Sequence, residues 1–132
     1  MIHMIEFRAM GCQVSVQLEA AERGADVLRD LPHRFAGIEA ILTRFDANSE
    51  LMRLNARAGD WFTVSDLLFA NIRAAKHAAL LTDGLYNPLI LSALAASGYD
   101  RSFEQINAPA VAPTKPAPDW RTRWFTWLER RD

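Results

Sequence analysis

The sequence predicts an α+β chain: one strand layer with two or three packed helices. Three observations carry that expectation. Residues 13–18, read as Gln-Val-Ser-Val-Gln-Leu, alternate polar and apolar, the period of a half-buried strand. Apolar residues then recur at steps of three and four from Val27 to Phe45. A second helical stripe begins after Ser65.

Taken in order, Ile5 and Phe7 begin either the partner of the first strand or an earlier part of the same strand, with Gly11 as a bend or bulge. The long stripe is Val27, Leu28, Leu31, Phe35, Ile38, Ile41, Leu42 and Phe45. Pro32 lies inside it and either kinks the helix or marks its true start, because proline has no N–H and crowds the preceding turn. Residues 46–60 read as a loop with a short turn of helix, and residues 61–64 as an edge strand. Ser65 is a good N-cap, and Asp66 suits the positive end of the helix dipole. The helix it opens buries Leu68, Ile72, Ala75 and Ala79 and turns Arg73, Lys76 and His77 outward. It stops at Thr82-Asp83-Gly84, with Gly84 as the left-handed cap. Pro88 opens a short helix over residues 89–96, closed by Gly98.

Composition narrows the function classes. The 132 residues are 50% hydrophobic and 23% charged, ordinary globular composition. A net charge of −1 lacks the basic excess of a nucleic-acid footprint. Residues 1–114 carry 10 basic and 13 acidic side chains, and residues 115–132 carry 5 and 3, so the tail differs in kind from the body. The lone Cys12 excludes an internal disulfide and a cysteine metal cluster. Ala9-Met10-Gly11-Cys12 superficially imitates a lipoprotein cleavage site, but Glu6 and Arg8 interrupt the apolar run that a signal peptide needs. No stretch reaches the length of a membrane span. The expected location, for the chain as written, is the cytoplasm.

Few residues stand out chemically by themselves. His3, His33 and His77 are scattered and lack metal-ligand spacing, so each reads as a surface histidine. All six glycines are isolated, which excludes a phosphate loop. Asp46 and Glu50 can share a helix face, as solvated pairs commonly do. Cys12 has no histidine near it in sequence and reads as a buried structural thiol. Pro109, Pro113, Pro116 and Pro118 mark an extended linker. Beyond it, Trp120, Trp124 and Trp127 stand among arginines, a pattern that fits base stacking, a membrane surface or packing on the body, but the preferred reading is a segment foreign to the rest of the chain.

Three runs resemble the ApbE family of FAD:protein FMN transferases. Phe7-Arg8-Ala9-Met10-Gly11-Cys12 is similar to the family's opening A-M-G-T. Ile38-Glu39, Leu42-Thr43-Arg44-Phe45, Ser49-Glu50-Leu51 and Leu54-Asn55 follow its I-E, L-S-R-F, S-E-L and L-N pattern. Val64-Ser65 and then Thr82-Asp83-Gly84-Leu85-Tyr86-Asn87-Pro88 resemble its T-D-G-x-F-D-P region, with Gly98-Tyr99-Asp100 beyond. The resemblance covers about the first hundred residues. Two positions depart from it: Cys12 stands for threonine, and Asn87 stands for aspartate and loses a charge.

The resemblance implies the first half of the ApbE-type flavin transferase fold over residues 1–107; the proline density marks a linker over 108–118, and composition sets off a tail of uncertain origin over 119–132. It implies FAD as substrate, with flavin contacts from Met10, Phe45, Leu85, Tyr86 and Asn87. Those residue types suit the task. A methionine thioether and aromatic rings pack on a flat ring system, and an amide offers both a donor and an acceptor. Phe45 equally suits the end of its helix's core stripe; Tyr86 could merely pack its turn, but for Met10 and for Leu85, Tyr86 and Asn87 the family position favours the site. The implied reaction is Mg²⁺-dependent transfer of FMN from FAD to a threonine hydroxyl of an acceptor protein, releasing AMP. The family's metal ligands lie in its second half, with a glycine-glycine-x-x-lysine-glycine run and a histidine-x-x-aspartate-proline run. Neither run occurs in these 132 residues. The expectation is therefore a truncated transferase, inactive alone, with no catalytic or metal residue of its own. The alternative is a non-catalytic flavin-binding or structural subunit, completed by a separate chain or by self-association.

Overall fold

The computed structural model describes residues 1–101, 105 and 106; the expected linker over 108–118 and tail over 119–132 lie outside the described residues. The chain divides into two compact units, Met1–Val64 and a second beginning at Ser65.

The first unit is built on a hairpin. Strand β1 (Ile2–Ala9) pairs antiparallel with β2 (Cys12–Glu19), from Ile2 opposite Glu19 to Ala9 opposite Cys12. Ile5 and Phe7 thus belong to a partner strand, and Gly11 is part of a two-residue turn. Met10 and Gly11 have φ of 53° and 73°, the double left-handed geometry of a type I′ hairpin, whose twist matches that of the strands. The register puts His3 opposite Leu18, Ile5 opposite Val16 and Phe7 opposite Val14, an almost wholly apolar face. Helix α1 (Gly24–Leu42) covers that face. Phe7 meets Phe35 edge-on, with ring centroids 5.2 Å apart and planes at 74°, a favoured aromatic geometry. Leu28 is buried beneath the helix.

Both ends of α1 differ from the expected stripe. The helix starts at Gly24, so Pro32 lies inside it and does not mark its start. Its first turn carries no side-chain cap at Arg23, and Val27 is exposed. The helix ends at Leu42, and Thr43 already has extended backbone, which leaves Phe45 outside the helix and exposed. The apolar period had included Phe45 because a residue three positions beyond Leu42 fits any 3.6-residue repeat. Helix α2 (Glu50–Ala56) supplies the helical turn expected within residues 46–60. Residues 61–64 form neither strand nor helix, which corrects the expected edge strand: they have strand-like residue types but join no sheet among the described residues. The Arg57 guanidinium instead lies 5.2 Å from the ring centre of Phe62.

In the second unit, Ser65 caps α3 (Asp66–Leu81) by accepting the Leu68 N–H at 3.2 Å. Leu68 and Ala79 are buried, Ile72 and Ala75 half-buried, and Arg73 and His77 exposed; Lys76 is half-buried, not fully outward. The helix closes in a Schellman arrangement. The Gly84 N–H donates to Ala79 O at 2.9 Å and the Asp83 N–H to Leu80 O at 3.3 Å. Asp83, with φ 48°, takes the left-handed position expected of Gly84, which follows at φ 85°. Helix α4 (Leu91–Ala96) begins later than expected, because Pro88 and Leu89 form a turn. It ends at Gly98, whose φ is 90°, as its sequence position suggests. With a two-stranded sheet and four helices among the described residues, the fold is α+β.

Candidate functional site

Met10 occupies the first loop position of the hairpin and is 47% exposed. Its N–H donates to Glu39 Oε2 at 3.2 Å, which fastens the hairpin tip to the last turn of α1. Phe45 stands on the loop between α1 and α2, and four hydrogen bonds shape that loop. The Phe45 N–H donates to Thr43 Oγ1 at 3.2 Å, Asn48 N–H to Asp46 Oδ1 at 2.8 Å and Ser49 N–H to Asp46 O at 3.0 Å. The Ser49 hydroxyl donates to Thr43 O at 2.6 Å. The Arg44 guanidinium lies 4.3 Å from the centre of the Phe45 ring, within cation–π range. Within the first unit, then, both candidate residues are tied to the same end of α1.

Leu85, Tyr86 and Asn87 form a contiguous turn after α3. Thr82 organises it: its hydroxyl donates to Ala78 O at 2.8 Å and accepts the Tyr86 N–H at 3.0 Å, while its carbonyl accepts the Leu85 N–H at 3.1 Å. Leu85 is 94% exposed and Tyr86 46% exposed, so both project from the turn. The Asn87 side-chain oxygen accepts the Leu89 N–H at 3.0 Å. Part of its acceptor capacity therefore serves the local turn.

The residues set aside in the sequence have ordinary places. His3 bonds to Ala21 O at 3.1 Å, and His33 and His77 are exposed on their helices. Cys12 is exposed, not buried as expected, because it is the first residue of β2 beside the hairpin turn. Asp46 serves its own loop and Glu50 lies in the first turn of α2. Among the described residues, no three His, Cys, Asp or Glu side chains group so as to hold a metal ion. A surface depression of about 310 Å³, lined by His3, Met4, Ile5, Ala25, Leu28 and Arg29, contains none of the five candidates.

Glu39, Arg44 and Ser49 shape the surroundings of Met10 and Phe45 in the first unit, and Thr82 shapes the Leu85–Asn87 turn in the second; none of the four is a candidate on sequence grounds. Glu39 and Ser49 sit in runs that carry the resemblance, but a hydrogen bond across 29 residues leaves no periodic signal.

Residues 10–126 match the ApbE family. The chain belongs to that family. The matched span begins at Met10 and runs through residues 108–118 into the tail. No curated protein matches the chain. Among solved structures it is similar to the crystal structure of the ApbE protein from Thermotoga maritima, with a TM-score of 0.71 and 20% sequence identity. That likeness covers 83% of this chain and 36% of the Thermotoga chain, and at this identity it speaks to the fold alone. The ApbE chain described here thus spans about 36% of the length of that relative.

Proposed function

We propose that this ApbE-family chain provides the N-terminal part of an FAD site, and that the 132-residue polypeptide does not transfer FMN by itself. The observation that carries the reading is the family match, which starts at Met10 and spans all five candidate residues. The geometry is compatible with it. Met10, Phe45, Leu85 and Tyr86 are exposed on turns already held by their own hydrogen bonds. Apolar side chains fixed on preformed turns bind a flat ring system without a large ordering cost. In the first unit Met10 and Phe45 offer a thioether and a ring for the flat flavin, and in the second the turn of Leu85, Tyr86 and Asn87 offers a ring and an amide.

In the reaction the family resemblance implies, a threonine hydroxyl of an acceptor protein attacks the FMN phosphorus of FAD. A new phosphoester forms, and the pyrophosphate bond breaks to release AMP. Such transfers depend on positioning and on charge stabilisation at the phosphates. The described residues do not fit a divalent cation, because no cluster of acidic or histidine ligands forms. No step is therefore assigned to a metal held by this chain. Its part is to bind and orient the flavin, and a threonine-bearing acceptor is the partner the reading requires.

The test is incubation of the purified chain with FAD, Mg²⁺ and an acceptor carrying the target threonine, followed by denaturing electrophoresis and flavin fluorescence. FAD binding without a fluorescent acceptor band is the expected result. A covalently flavinylated acceptor above the enzyme-free control overturns the inactivity, and absence of FAD binding overturns the site.

A further inference from the structure

Resting on the reading of Met10 as a flavin contact, we infer that Glu39 is a positioning residue, which sets the placement of Met10 relative to Phe45. Met10 has φ 53°, a left-handed conformation that a residue with a side chain rarely adopts. It is the first residue of a two-residue loop, outside the strand pairing that ends at Ala9 and Cys12. Its N–H is directed to Glu39 Oε2, 3.2 Å away on α1. An ionised carboxylate is a strong acceptor for such an amide. The strand pairing fixes the turn type, and the carboxylate adds a fixed point that ties the tip to α1.

Glu39 acts at its other end as well. Its carbonyl oxygen accepts the Thr43 N–H at 2.8 Å, the bond that closes α1. Thr43 begins the loop that presents Phe45, and its hydroxyl accepts the Phe45 N–H. One residue thus joins the hairpin tip carrying Met10 to the helix end from which Phe45 departs. A flat ligand packed on both needs a fixed separation between them, and small displacements of a contact surface forfeit much of its dispersion energy. Glu39 stays off the ligand in this role and works through the backbone of Met10.

The test uses the full 132-residue chain, ¹⁵N-labelled, titrated with FAD. The Met10 amide is expected to exchange slowly with solvent in the wild type and rapidly in Glu39→Ala. Glu39→Ala should weaken FAD binding about tenfold, and Glu39→Gln, which keeps an acceptor oxygen, should stay within about twofold of wild type. The double variant Glu39→Ala/Met10→Ala should bind no more weakly than Met10→Ala alone, since both changes act through one contact. Asp30→Ala, which breaks the exposed pair with Arg34 on the same helix, should leave binding unchanged. Wild-type affinity in Glu39→Ala beside weakened binding in Met10→Ala overturns the inference and leaves the flavin contact standing. Unchanged binding in Met10→Ala, or no binding by the wild type, overturns the contact and the inference with it. Should Glu39→Ala fail to fold, an unprotected Met10 amide in the wild type, or weakened binding in Glu39→Gln, overturns the inference.

Discussion

The Ser49 hydroxyl donates a 2.6 Å hydrogen bond to the carbonyl of Thr43, six residues back, at a position only 2% exposed. The same oxygen accepts the Met52 N–H at 3.1 Å and so caps α2. One buried side chain thereby fastens the end of α1 to the start of α2. The loop between them is pinned at its base while Phe45 points outward. The run Ser49-Glu50-Leu51, which helped carry the family resemblance, has a physical reason for its serine.

Replacing Ser49 by Ala should destabilise the chain by about 2 kcal/mol, because it takes a hydrogen bond from the half-buried Thr43 carbonyl and removes a helix cap. Ser65→Ala removes only a cap and should cost about 1 kcal/mol. Urea unfolding of both variants, read from the midpoint at unchanged slope, checks the order. Equal losses would show that the bond to Thr43 adds nothing.

Tyr86 and His77 separate the flavin site from general surface effects. Tyr86 projects from a turn latched by Thr82, and His77 is exposed on α3. Tyr86→Ala should weaken FAD binding by roughly two- to tenfold, the range expected for losing one aromatic contact. His77→Ala should leave it unchanged. Quenching of flavin fluorescence on titration gives both affinities. Equal effects from the two substitutions would remove Tyr86 from the site.

What the sequence revealed follows from where its signals are local. β2 alternates cleanly, and Ser65 precedes an apolar stripe, so both were legible. β1 was ambiguous because Met10 is an unusual residue for a type I′ turn, where Asn or Asp is the familiar signal. The start of α1 was hidden, since Arg23 offers no capping side chain and Pro32 looks like a boundary. Residues 61–64 show that strand-like residue types do not make a strand without a neighbour to pair with. The candidate residues came from motif resemblance. The interactions that hold them, such as Glu39 on Met10, depend on chain folding and have no linear signature.

Three glycines give a stability test whose signs differ for different physical reasons. Gly37 lies within α1, and a Cβ there would meet nothing within 4 Å. Gly37→Ala should therefore stabilise by about 0.5–1 kcal/mol through helix propensity and a less flexible unfolded chain. Gly98 is equally open, but its φ of 90° closes α4 in a conformation that disfavours a side chain. Gly98→Ala should destabilise by about 1 kcal/mol despite the free space. Gly24 is helical and buried, and a Cβ there would lie 2.6 Å from His3 Cδ2 and 2.9 Å from Ala20 Cβ. The His3 ring could turn away only by giving up its bond to Ala21 O, and the Ala20 Cβ moves only with its backbone. The overlap should outweigh the helix-propensity gain, so Gly24→Ala should lose about 1–2 kcal/mol. Thermal melts of the three variants under one set of conditions decide the matter. A Gly24→Ala chain that melts above wild type, as Gly37→Ala should, would mean that His3 does not pack against the first turn of α1.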